Sequence, residues 1–403
     1  FQLAGLPLNF TAASGALGSG RPAGIRLDLV LGGPGDHLLF RGTHSVQDGD
    51  WALRGDLTLE GGDFAAAAQV LATALEMAPP ALRGLGVPYE LTATVAVSPT
   101  EAGLNEIDIS FADMGATGGI NVALGDSPRF DAALALTQVD LDSLLSRGEA
   151  EQRPFQESPD QGAQFTIPTN IAGNLTVSAE AMSYRGRLVR GADFVAAMAD
   201  GTVTVSTFHA LLPGVSEVSG AGTLTAEGGA PQFDGEVSLR SDNARELLAW
   251  LDLDPAAVPQ DRLNTLNYEG RIRISPDLVQ AYNFDAGFDA TRVTGEIGIA
   301  FRNRPAFSVD AVVDRLNLDS YLIPPAADSA GPEAPLFAFS VLDTFDTDIR
   351  LRAGELTVRG EQLAGLLVDI GLLGGVFTAR EVTVADMAGA RGTLTGIASG
   401  FAG

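Results

Sequence analysis

The chain has 403 residues and a formal net charge of −26, from 25 Lys+Arg against 51 Asp+Glu; all 25 of those cations are arginine. Without lysine or cysteine it has no Schiff-base amine, P-loop lysine, thiolate nucleophile or Cys-ligated zinc, and three histidines leave little for a His-based site. The acidic balance leaves no basic surplus for nucleic acid, and 45% hydrophobic content excludes an acidic disordered chain.

In chain order the dominant signal is alternation of apolar and polar residues, the period of a half-solvated strand. It runs through Leu91 to Val97, then Ile107, Ile109 and Phe111, then Ile120, Val122 and Leu124, and then Leu134 and Leu136. It returns at Val203 and Val205, at Val237 and Leu239, at Ile272 and Ile274, and at Ile297, Ile299 and Phe301. Ile349 with Leu351 and Leu356 with Val358 complete it. Thr, Ser, Asp, Arg, Asn, Gly and Ala fill the intervening positions, and most of the 48 glycines fall between runs, where hairpin turns need them. The expectation is a mainly β chain in antiparallel sheet, with one face apolar.

Short helical segments punctuate the strands. Asp63, Asp140, Asn243 and Asn317 each stand ten residues after an apolar residue (Leu53, Phe130, Phe233 and Phe307 respectively) and directly before such a segment. That is the position and residue type of an N-cap.

The sequence repeats itself. Gly118 to Leu145 aligns without gaps on Gly295 to Leu322 at an offset of 177, with Ile120/Ile297, Pro128/Pro305, Phe130/Phe307 and Asp142/Asp319 identical. Met182 to Val205 matches Leu356 to Ala379 at 174, with Arg185-Gly186 on Arg359-Gly360. Tyr89-Glu90 matches Tyr268-Glu269 at 179. We read residues 1–52 as lead-in strands of a preceding repeat, 53–232 as a first repeat, and 233–403 as a second, incomplete at its end. Two Pro/Gly/acid-rich segments, 147–163 and 324–335, follow the Leu-Asp-Ser motif at the same point of each repeat and read as linkers that leave the sheet edge.

Nothing resembles a catalytic constellation. Asp140/Asp142, Asp252/Asp254, Asp285/Asp289 and Asp346/Asp348 could be paired acids of a glycosidase or calcium ligands, but they read as caps and solvated structural acids. His209 has no partner His or Cys, and His37 and His44 fit no zinc spacing. Trp51 and Trp250 read as core or rim residues. No enzyme, metal or cofactor is expected.

The run Ala311 to Pro325, a Pro/Ala linker, Phe345 to Gly360 and Gly374 to Phe377 resembles the AsmA family of Gram-negative envelope proteins, through Leu316 to Leu322, Pro324-Pro325 and Ala353 to Leu356. The likeness is best over residues 267–396, and weaker but in register over 89–225. It implies a periplasmic protein tethered to the inner membrane by a helix upstream of Phe1, this chain being an excerpt. It further implies a long curved antiparallel sheet of repeated units forming an elongated apolar groove. Phospholipid acyl chains would be its cargo on the way to the outer membrane, with contacts to both membranes through the missing ends. The alternating residues from Ile107 to Val358 named above would line the groove. The rival reading is a structural or interaction β-repeat protein of the cell envelope, closed-cored and without a conduit.

Overall fold

The computed structural model describes residues 2–3, 6–7, 9–14, 22–30, 36–47, 50–64, 66, 86–111, 114–142, 165–253, 255–322 and 344–399. The chain divides into two compact units, residues 1–160 with 167–210 and residues 161–166 with 211–403. Both are β-sheet built from repeated strands, as the alternation requires.

In the first unit β1 (Gln2–Leu3) and β2 (Leu6–Pro7) form a small pair of their own. The sheet comprises β3 (Asn9–Ser14), β4 (Ala23–Val30), β5 (His37–Gln47), β6 (Asp50–Gly61), β7 (Tyr89–Val97), β8 (Glu101–Phe111), β9 (Met114–Ala123), β10 (Arg129–Asp140), β11 (Ala172–Tyr184) and β12 (Arg187–Ala199). Each pairs with the next in sequence. β13 (Thr202–Leu212) ends where the second unit begins.

The second unit runs through β14 (Ser216–Glu227), β15 (Ala230–Ser241), helix α1 (Ala244–Trp250), β16 (Leu266–Ser275), β17 (Leu278–Phe288), β18 (Thr291–Ala300), β19 (Ala306–Asn317), β20 (Asp346–Val358), β21 (Glu361–Leu373), β22 (Val376–Met387) and β23 (Ala390–Ala398). Its strands again pair in sequence order. Ten strands at about 4.8 Å spacing reach about 43 Å along the hydrogen-bonding direction of each unit.

One junction per unit departs from the antiparallel expectation. β10 pairs parallel with β11, and β19 pairs parallel with β20. Parallel neighbours start at the same end, so the chain must cross back between them, and this demands a long connection. The two linkers supply it; they join parallel strands and are not simple excursions from an edge. Their central residues, 143–164 and 323–343, lie outside the described residues.

The repeat is written into the strand register. The β8–β9 ladder shifts between Leu104 and Ile107, where Glu106 has φ 52°, and the β17–β18 ladder shifts between Ala281 and Phe284, where Asn283 has φ 50°. Both bulges obey the offset of 177. So do the shifts at Thr92/Thr94 and Glu269/Arg271. This register places Tyr268 on Leu91, so the Tyr-Glu match at 179 is a coincidence of composition. Each unit also has a glycine where a side chain would strike backbone: a Cβ on Gly118 would lie 2.0 Å from the Ala133 carbonyl oxygen, and one on Gly295 2.1 Å from that of Asp310.

The caps follow the sequence logic. The Asn243 side chain accepts from the Glu246 N–H at 3.2 Å at the start of α1, and Asn317 accepts from Ser320 at 3.3 Å ahead of the 3₁₀ turn Leu318–Ser320. Asp63 accepts from the Ala66 N–H at 2.9 Å; most of the segment after it lies outside the described residues. Asp140 accepts from the Ser183 hydroxyl across the parallel junction at 2.7 Å, and the N–H that it would cap, at position 143, lies outside the described residues.

Candidate functional site

Side chains directly opposite in a ladder point to the same face, so register identifies the face without further assumption. In the second unit one registered row runs Leu224, Phe233, Ile274, Val279, Ile299, Phe307, Thr347, Leu372 and Phe377. The next row along the strands holds Ile272, Ala281, Ile297, Val309, Ile349 and Ile370. Ala311 with Leu351, and Leu239 with Tyr268, extend the same face. Val237 stands between Leu239 and the Phe233 row.

The first unit repeats the arrangement. Val122 is opposite Ala102 and Phe130; Ile120 is opposite Leu104 and Ala132; Leu134 is opposite Gly118 and Val177; Leu136 is opposite Ala116 and Ala179. Ile109 is opposite Leu91, and Phe111 opposite Tyr89. Leu124 and Phe301 continue their strands past the last ladder pair, and their N–H groups donate to the carbonyls of Thr100 and Asp277, again 177 apart. In β13, Val205 is buried and Val203 half-buried. Leu356 and Val358 lie beyond Gly365, whose φ of 60° interrupts the alternation of β20–β21; both are half-buried, Leu356 opposite Leu363.

The two ends of this face differ. At one end it is closed. In the first unit Ala93, Ile107, Ile109 and Ala116 are buried, and Phe64, arriving just after Asp63, packs against them and stacks on Phe111 at 5.5 Å. Ile107 and Ile109 are therefore core residues as well as members of the apolar face. In the second unit α1 buries Ala244 and Leu247 to 1% exposure. Arg245 fixes the loop after α1 by donating to the carbonyls of Pro255, Val258 and Pro259.

At the other end the face is uncovered. Ile274, Val279, Ile297 and Phe307 keep 37–43% of their surface exposed, and Leu124 in the first unit keeps 45%. Among the described residues half of the buried apolar side chains are alanines. Phe345 packs edge-on against Phe307 with ring centroids 5.6 Å apart, and Leu372 in the same row is only 2% exposed, so the uncovered stretch is centred on Ile274, Val279 and Ile297.

The opposite face is polar and held by ion pairs. Asp234 accepts from Arg271, Arg273 and Tyr282 at 2.7–2.9 Å. Partial burial works against its ionisation, but the hydrogen bonds from Arg273, Tyr282 and Arg271 outweigh it and hold the carboxyl below its ordinary range. Further along, Asp369 is bonded to Arg380 and Arg350, and Arg380 also to Asp348.

The acids of Asp140/Asp142, Asp285/Asp289 and Asp346/Asp348 have structural partners. Asp142 accepts from the Arg185 and Gly186 N–H groups, Asp285 pairs with Arg292, and Asp346 accepts from Arg304 and the Gly374 N–H. Asp289 accepts from the N–H groups of Leu263, Asn264 and Thr265 and from the Tyr321 hydroxyl. Asp254 lies outside the described residues. His209 is within 3.2 Å of the Gly191 carbonyl, and His37 within 2.6 Å of Asp28. Among the described residues no three His, Asp or Glu side chains are grouped to hold a metal, and no helix is long and apolar enough to cross a membrane.

The residues that sequence reasoning missed sit at the uncovered end: Met198, Leu372 and the strand-start residues Arg129 and Asn174, which line recesses there. The identical Pro128/Pro305 and Phe130/Phe307 mark the place in the sequence. No protein-family model, curated protein or solved structure matches this chain.

Proposed function

We propose that the apolar faces of the two units solvate phospholipid acyl chains, and that this chain is the non-enzymatic, lipid-carrying part of an AsmA-like protein of the periplasm, tethered to the inner membrane and supporting outer-membrane assembly. The observation that carries the reading is the row Ile274, Val279, Ile299 and Phe307, registered across four strands, in which Ile274, Val279 and Phe307 keep 37–43% of their surface exposed and Ile299 is half-buried. A contiguous exposed apolar patch of this kind marks a binding surface. Moving an acyl chain of about 16 carbons out of water is worth on the order of 12 kcal/mol at about 0.8 kcal/mol per CH₂. The lining along each row is aliphatic or aromatic with few polar interruptions, so a chain moved along it exchanges like for like. That favours passage over tight capture.

The test is binding of the dye ANS to the native chain. An uncovered apolar face takes up ANS in the folded state, and the signal falls when an acyl-chain competitor such as palmitate is added. A folded chain that leaves ANS dark has a closed core, and the structural envelope repeat becomes the better account.

A further inference from the structure

Each unit carries a recess at the uncovered end of its sheet, about 730 Å³ in the first and about 430 Å³ in the second. The two occupy the same place in the repeat. Ala123 and Phe130 line the first, Ala300 and Phe307 the second, 177 residues on; Met198 and Leu372 correspond at 174. Both recesses lie at the starts of the parallel strands, the one junction per unit where the antiparallel pattern breaks.

The linings are two-sided. Phe130 and Met198, like Phe307 and Leu372, belong to the apolar face, whereas their sequence neighbours Asp131 and Ala197, or Ser308 and Gly371, belong to the polar one. A recess that wraps the strand ends in this way presents an apolar wall continuous with the exposed rows and a polar wall a few ångströms away. Its occupant must be amphipathic.

The polar walls carry both signs of charge. Arg129 stands with Glu101 and Asp131 in the first recess; in the second Arg302 stands with Asp346 and Asp348, Asp346 being already bonded to Arg304 and the Gly374 N–H and Asp348 to Arg380. Arg129 and Glu101 are each opposite Ala123 in its two ladders, which puts them on one face about 10 Å apart across that strand. A guanidinium recognises a phosphate, and a carboxylate recognises an ammonium. A purely anionic headgroup would meet the carboxylates with no compensating cation of its own.

We propose that each unit holds one zwitterionic phospholipid headgroup, a phosphate ester bearing an ammonium group, in this recess, with the acyl chains laid along the adjoining apolar rows. The assignment rests on the acyl-chain reading above and adds to it where lipid enters and which headgroup is preferred.

The experiment loads the folded chain from vesicles of phosphatidylethanolamine or of phosphatidylglycerol with the same acyl chains, and counts lipid per chain by mass spectrometry. The parent takes up phosphatidylethanolamine at least five-fold more than phosphatidylglycerol. A Glu101→Gln, Asp348→Asn double variant, which removes one exposed carboxylate from each recess, brings the two within two-fold. Should that variant lose its β-sheet circular dichroism, Glu101→Gln with Asp131→Asn carries the same expectation for the first recess. Equal uptake of both lipids by the parent, or an unchanged preference in the folded variant, overturns the headgroup assignment and leaves the acyl-chain reading standing. Uptake of neither lipid overturns both.

Discussion

Asp319 and Arg359, forty residues apart in sequence, meet across the parallel junction of the second unit, where the Asp319 carboxylate accepts the Arg359 N–H at 2.6 Å and that of Gly360 at 2.8 Å. Asp142 does the same for Arg185 and Gly186 in the first unit. Each of these turn residues has φ between 52° and 77°, which aims successive N–H groups at one point, a natural seat for a carboxylate. The Leu-Asp-Ser motif thus pins the beginning of the crossover to the hairpin that follows it.

Replacing Asp319 by Ala strands two N–H groups that water can partly reach, so Asp319→Ala costs about 1–2 kcal/mol and Asp319→Asn less. Urea unfolding of the two variants checks the order. An Asp319→Ala variant as stable as the parent removes the clamp from the account.

Glycine substitutions separate two mechanisms. At Gly295 an added Cβ meets backbone, 2.1 Å from the Asp310 carbonyl oxygen and 2.8 Å from the Ala311 Cα, neither of which can move without breaking the ladder. At Gly360 the φ is 77° but no atom lies within 4 Å of the added Cβ. Gly360→Ala therefore costs only the conformational penalty of about 1–2 kcal/mol, and Gly295→Ala at least about twice that. Thermal melts of the two variants should rank them in that order.

The strands and their repeat offsets of 177 and 174 are legible in the sequence because alternation and the glycine and proline positions carry them directly. Strand direction is not legible: β10 and β11 read alike whether they run parallel or antiparallel, and only the length of the intervening linker hints at a crossover. The bulges at Glu106 and Asn283 escape for a related reason, since a single left-handed residue leaves little mark on the apolar pattern. The apolar face is legible as a set of alternating residues, but its two ends are not told apart. Ile107 and Ile297 look equivalent on the page, and only the arrival of Phe64 over β7 to β9 buries the first while the second stays exposed. The recesses, formed by strand-start residues of both faces, have no periodicity to betray them.

The pair Asp289–Tyr321 sets a pH window for the second unit. Burial opposes ionisation of Asp289, yet the Leu263, Asn264 and Thr265 N–H groups and the Tyr321 hydroxyl hold its carboxyl below the ordinary range. Its contribution is present above about pH 4, the unfolded carboxyl value, and is lost as pH falls through the folded one. Tyr321 is pushed up to about 12 by burial and by its bond to Asp289. Its contribution is complete below pH 10, the ordinary tyrosine value, and fades as pH rises towards 12. Tyr321→Phe should flatten the alkaline limb of the second unit's stability curve while Tyr89, also pushed up to about 12, preserves that of the first. An alkaline limb unchanged in Tyr321→Phe would contradict this.

The most direct test of lipid carriage is mass spectrometry of lipids extracted from the natively purified chain, beside a Val122→Asp, Ile299→Asp variant that places a charge at the same point of both apolar faces. The account predicts phospholipid on the parent and its loss from the folded variant. A parent free of lipid, or a variant that retains it undiminished, contradicts the claim that these faces carry acyl chains.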